Sequence, residues 1–271
     1  MELKTEVSFS KEEEGKITLN VNLPKQWQDL TQGQLHYICT LMCLGIPMEE
    51  LKIYAFIRMA GFDVINKSKG RWNFRKKITW RKSEYFSLSD EIVASAASNL
   101  SYLDEYPSRP IRVERFGSYN ARDAFLHNIP FKDFISLENY WQGFLISKKE
   151  ECIERMAGML YRKNNGDSPK KPNGTMCTST ALWYAAFKNF CHEHWPYFFK
   201  LVNKDDKSGM NNIDMEKIMN AEIRALTDGD VTKEKEVLNL DTWRALTELD
   251  AKAKEAEEHR QEIANIKAKQ K

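Results

Sequence analysis

The stretch TQGQLHYICTLMCLG, residues 31–45, decides the fold class. Thr31 and Gln34 form a capping box: the threonine oxygen accepts from an orphan amide at the start of a helix while the glutamine reaches back to the cap. Leu30 before the cap and Leu35 inside the helix supply a hydrophobic staple. Leu35, Ile38, Leu41 and Met42 then share one face at helical spacing, and Gly45 with Pro47 beyond it ends the run. A second run carries Leu51, Tyr54, Ala55 and Arg58 in register and stops at Gly61. Together they predict a helical hairpin.

Working outward, the same periodicity recurs. Ser89 caps a run with Asp90 and Glu91 in its first turn, where acids oppose the positive end of the helix dipole, and Ile92, Val93, Ala96, Ala97, Leu100 and Leu103 form its stripe. Phe134, Leu137, Tyr140, Trp141, Phe144 and Leu145 make another, continued after a break by Cys152, Ile153, Met156, Met159 and Leu160. Leu182, Trp183, Ala186, Phe187, Phe190 and Cys191 follow until Trp195-Pro196 interrupts. Ile213, Met215, Ile218, Met219, Ile223 and Leu226 run to Thr227-Asp228-Gly229-Asp230, read as a helix stop, a turn and a new cap. Thr232 is expected to cap a last, long helix that turns rich in Ala, Lys and Glu after Asp250. Two stretches break the helical rule. Residues 1–22 read as a charged arm with a short strand at Ile17–Val21, and residues 62–88 space Phe62, Val64, Ile65, Trp72, Phe74, Ile78 and Trp80 as a β-hairpin or small meander. Residues 111–130 mix a short strand with polar turns.

The expected architecture is mainly α with minor β: a helical, bundle-like body, a small β-hairpin or meander near 62–88, and a long C-terminal helix. The expected organisation is an N-terminal helical domain over 1–162, a flexible loop at 163–175 that holds no apolar side chain, and a C-terminal helical region over 176–271. A second polar loop is expected over 203–212.

Composition narrows the function. The 271 residues are 42% hydrophobic and 11% aromatic, enough to bury a core, and no run of about 20 apolar residues is present to span a bilayer. With 41 basic and 39 acidic side chains the net charge is +2, so any anionic partner must be met locally. Five cysteines at scattered positions read as buried free thiols, which points to a reducing cytoplasm.

The strongest charge signal lies between residues 67 and 82, which hold eight cations and no acid: Lys67, Lys69, Arg71, Arg75, Lys76, Lys77, Arg81 and Lys82, with Trp72, Phe74 and Trp80 interleaved. A cationic hairpin with exposed rings neutralises phosphates and stacks bases. The competing reading turns the aromatics inward, since Trp72, Phe74, Ile78 and Trp80 share strand parity, and leaves the cations to solubilise the other face or dock an acidic protein. The second candidate surface is the late C-terminal helix, with Leu246, Leu249, Ala253 and Ala256 as a seam for a partner or a further copy of the chain. Cys191-His192-Glu193-His194 does not converge on a metal, because only Cys191 and His194 have ligand spacing on a helix. Thr227–Glu234 fails the pattern of an EF-hand loop. No nucleophile elbow, phosphate-binding glycine loop or zinc-protease motif occurs. The expectation is therefore a non-enzyme with no cofactor and no metal.

Several segments taken together resemble a group of proteins from tailed phages and prophages of gut bacteria associated with tail and head–tail morphogenesis. They are Leu23-Pro24 with Trp27 and Asp29-Leu30-Thr31; Tyr140-Trp141 leading to Leu160-Tyr161-Arg162; Trp183, Phe187 and Trp195-Pro196-Tyr197-Phe198-Phe199; and Leu226–Asp230 with Trp243-Arg244-Ala245-Leu246. The resemblance covers most of the chain and carries no catalytic residues. It implies an assembly or structural role, such as that of a tail-assembly chaperone, with other phage structural or tail proteins as partners.

Overall fold

The computed structural model describes residues 6–10, 16–199 and 215–269. The protein is mainly α with minor β. Its contacts divide the chain into two compact units, one of the residues up to Pro107 with Gly174–Ser179, the other of Ser108–Asn173 with the residues from Thr180 on. The chain thus passes between the units after Pro107, after Asn173 and again after Ser179, inside one helix. The 203–212 loop and Ile213 lie outside the described residues.

In the first unit, β1 (Glu6–Ser10) pairs antiparallel with β2 (Lys16–Asn20), where the sequence showed a single strand at Ile17–Val21. The helical hairpin follows as α1 (Gln32–Cys43) and α2 (Met48–Met59). Both halves of the capping box form: Thr31 Oγ1 accepts from the Gln34 amide and Gln34 Oε1 from the Thr31 amide. Each helix ends on a glycine with positive φ, Gly45 at +69° and Gly61 at +71°, a conformation that residues with a Cβ resist.

The chain then enters a three-stranded antiparallel meander: β3 (Phe62–Ser68), β4 (Arg71–Lys77) and β5 (Ser83–Ser89). Alternation puts Trp72, Phe74, Phe86 and Leu88 on the buried face with Phe62. Phe62, Phe74 and Phe86 lie 5.1–5.5 Å apart between ring centres, and Phe56 of α2 meets Phe62 edge-on at 6.0 Å. Ser89 accepts from the Ile92 amide and caps α3 (Asp90–Ala97), which runs into a 3₁₀ segment at Ser98–Asp104. Val93, Leu100 and Leu103 bury the stripe read from sequence.

Four apolar positions read into the meander are exposed. A bulge between Val64 and Asn66 shifts the register, leaving Val64 and Ile65 in solvent. Strand β4 ends at Lys77, so Ile78 and Trp80 belong to the turn and not to the sheet: the amides of Ile78 and Thr79 both donate to the Lys82 carbonyl. Two-residue parity has no meaning past that point.

The second unit opens on a small sheet, β6 (Arg115–Phe116), β7 (Tyr119–Ala121) and, arriving later, β8 (Tyr161–Arg162). Between them α4 (Phe131–Ser147) and α5 (Glu150–Leu160) pack antiparallel. The 163–173 segment holds local hydrogen bonds, Lys163 N to Asp167 O and Gly166 N to Lys163 O. Helix α6 (Gly174–His194) belongs to the first unit over its first six residues and to the second thereafter. Its Trp183, Tyr184 and Phe187 are fully buried beside Phe134 of α4, and the Trp183 indole donates to the Ala124 carbonyl at 2.8 Å.

Helix α7 (Met215–Thr227) stops as read: Asp228 and Gly229 take positive φ and Asp230 caps the next turn by accepting from the Thr232 amide. The cap is therefore Asp230, not Thr232, and it starts only a 3₁₀ turn and the short α8 (Glu234–Leu238). The long helix is α9 (Thr242–Lys269), with Asp241 accepting from the Arg244 amide. Thr242 donates through both its amide and its hydroxyl to the Ile129 carbonyl, a contact across 113 residues that no local motif announces.

Cys39 and Cys191 are buried as expected, and burial pushes the Cys39 thiol up to about 12. Cys43 is exposed, and Cys152 and Cys177 are half-buried, because the first lies at the C-terminal end of α1 beyond its buried stripe. All five are free thiols.

Candidate binding surfaces

The meander sorts its cations by side and by partner. Trp72 does not present its ring: it is buried, its indole donates to Asp90 Oδ1 at 2.6 Å, and Lys67 sits over it at 4.4 Å. Lys67 also bridges to Asp90 at 2.8 Å, and that hydrogen bond, with the one from Trp72, holds the Asp90 carboxyl below the usual carboxylate range. Arg75 is paired with Asp63 at 2.9 Å. Lys76 lies on the inward side, 5.6 Å from the Phe62 ring and opposite Glu84. Among the described residues, Lys69, Arg71, Lys77, Arg81 and Lys82 have no acidic partner and all are exposed.

The outward face of the sheet carries Arg71, Asn73, Arg75 and Lys77 from β4, with Tyr85 of β5 directly opposite Arg75. Asn73 links the three strands, donating to Asn66 on one side and bonding Ser87 on the other. Tyr85 is 70% exposed and Trp80, in the β4–β5 turn, is 85% exposed with the Arg81 guanidinium 3.9 Å from its ring centre. Sequence parity had Trp80 grouped with Trp72; the structure separates them, and Tyr85 carried no signal because it lies outside the basic run.

The proposed seam on the C-terminal helix divides as well. Leu246 and Leu249 are core residues of the second unit, fully and almost fully buried, so no partner reaches them. Ala253 is half-buried and Ala256 exposed. Beyond them Ile263 and Ile266 are 40% and 56% exposed. Leu249, Ala256 and Ile263 recur every seven residues, with Ile266 three further on, the repeat of a coiled-coil seam. Lys254–Glu258 and Arg260–Glu257 ion pairs flank it.

A third cluster lies inside the second unit. Glu138 of α4 accepts from the Tyr184 hydroxyl at 2.8 Å and from Lys188 at 3.0 Å, both on α6. Burial, and then the charge of Glu138, push the nearby Glu222 carboxyl of α7 up to about 7. Among the described residues no group of three or more His, Cys, Asp or Glu side chains is placed to hold a metal ion, and His192 instead contacts the Phe199 carbonyl. No helix among them is long and apolar enough to cross a membrane. Comparison with protein-family models, with curated proteins and with solved structures finds no match to this chain.

Proposed function

We propose that this chain is a non-enzymatic morphogenesis protein of a tailed phage or prophage, an assembly factor or structural component that works through protein–protein surfaces in the host cytoplasm. One observation carries the reading: α9 continues for 20 residues past Leu249, its last buried side chain, and repeats apolar residues along that exposed length. Twenty residues extend about 30 Å, and a solvated helix of that length is marginal in water unless ion pairs or a partner hold it. The heptad spacing of Ala256, Ile263 and Ile266 supports a helical partner, and the flanking charges supply its rim.

The resemblance to tail and head–tail morphogenesis proteins supports the class of partner. The test is co-expression with candidate tail and tape-measure proteins, followed by size exclusion with light scattering. A stable complex is expected, lost in the double variant Ile263→Glu, Ile266→Glu while the melting temperature stays within about 2 °C, since exposed substitutions cost little. A chain that remains monomeric with every candidate, or a complex indifferent to both substitutions, refutes the reading. A self-complex abolished by the same variant would place a second copy on the seam and remove the other tail proteins from it.

A further inference from the structure

We infer that the outward face of the β3–β4–β5 sheet, together with the β4–β5 turn, binds single-stranded nucleic acid. The inference concerns the first unit alone and stands apart from the role proposed for α9.

The strand register does the sorting. Both large aromatics of β4 point inward, so its outward side chains are polar, built on the Asn66–Asn73–Ser87 row. Its one acid, Asp63, is already neutralised by Arg75. What remains uncompensated is positive and sits at both ends: Lys69 and Arg71 at the β3–β4 turn, Lys77, Arg81 and Lys82 at the β4–β5 turn. From Arg71 to Lys77 is six residues of strand, about 20 Å, so an extended strand laid along β4 meets uncompensated cations at both ends. Between and beside these cations stand the two exposed rings, Tyr85 in mid-face and Trp80 in the turn.

That combination selects among anionic partners. The net charge of +2 gives no general attraction, so the field is local to this row. An acidic protein surface would be served by the cations alone and would leave a solvent-facing tryptophan unexplained. Unpaired bases use both, because phosphates meet the cations while bases stack on the rings. A duplex keeps its bases stacked on one another and would leave both exposed rings unused. Arg81 over Trp80 extends the platform, since a guanidinium plane also takes a base.

The experiment is fluorescence anisotropy of a short labelled oligothymidylate titrated with the full chain. Counterion release from single strands scales as about 0.7 per neutralised phosphate, so five cations predict a log–log salt slope near −3.5, roughly a hundredfold loss of affinity from about 50 to about 200 mM salt. Trp80→Ala and Tyr85→Ala should each weaken binding at least fivefold with the slope unchanged. Arg71→Glu with Lys77→Glu should abolish binding while the melting temperature holds. The duplex of the same length and polyglutamate should bind at least tenfold more weakly. No binding at low salt, or polyglutamate binding equal to the oligonucleotide, overturns the inference, the second in favour of an acidic protein partner. So does a Trp80→Ala, Tyr85→Ala double variant with wild-type affinity.

Discussion

Removing one carboxylate from the interior of the second unit should make the protein more stable, and only on the alkaline side. Glu138, Lys188 and Tyr184 lie near Glu222, and the single lysine among them is already engaged by Glu138. A second anion there has no cation of its own. Burial and the Glu138 charge accordingly raise the Glu222 carboxyl from 4.5 to about 7. For an acid whose folded pKa is raised, the folded state keeps a proton that the unfolded chain has released. Stability is therefore fully present below about pH 4.5, declines as pH rises, and the loss is complete above about pH 7.

At about 1.4 kcal/mol per pH unit the full effect is about 3 kcal/mol, and residual solvent exposure of Glu222 reduces it to about 1–3 kcal/mol. Glu222→Gln keeps the shape and removes the charge. At about pH 8 it should raise the melting temperature by roughly 3–8 °C for a chain of this size; at about pH 5 the two proteins should melt together. Thermal unfolding by circular dichroism at about pH 5, 6, 7 and 8 measures this directly. A glutamine variant with the same pH profile as the wild type, or one less stable at pH 8, refutes the argument that Glu222 is an uncompensated buried acid.

Two further substitutions separate core from surface. Leu246→Ala should cost about 2–5 kcal/mol in urea unfolding, because the side chain is fully buried and its cavity persists, whereas Ala256→Glu, on the exposed part of the same helix, should change stability by less than about 0.5 kcal/mol; equal effects would show that the two positions share one environment. Thr31→Ala should cost about 1 kcal/mol through loss of the Gln34 amide's acceptor, and a neutral result would mean that water replaces the cap without penalty.

What could be read from sequence follows the range of the interactions. The capping box, the glycine stops at Gly45 and Gly61 and the Asp228–Asp230 turn are written within four or five residues, and all appear where the spacing puts them. The start of α9 is not local: Asp241 and Thr242 hold the 128–131 segment, so the helix begins ten residues after Thr232, the cap suggested by composition. Periodicity also shows that a stripe is apolar without saying what covers it. Leu246 and Leu249 satisfied the pattern of a partner seam and are packed inside their own unit, while Ile263 and Ile266, four turns later, are the members left in water.

The basic run shows the same limit from the other side, and it ties the proposed binding face to the fold. Along β4 the alternation of Arg71, Trp72, Asn73, Phe74 and Arg75 admits one register, since a slip of one residue would bury two guanidinium groups and expose the stacked Trp72–Phe74 pair. The core of the first unit and the cation row outside it are thus one constraint seen from opposite faces. Neutralising the outward cations leaves the inward aromatics, and with them the register, intact; moving the aromatics would dismantle both. Trp80, in the turn past the end of β4, stands outside that constraint, whereas Tyr85 obeys it, carried outward by the same alternation of β5 that buries Phe86 and Leu88.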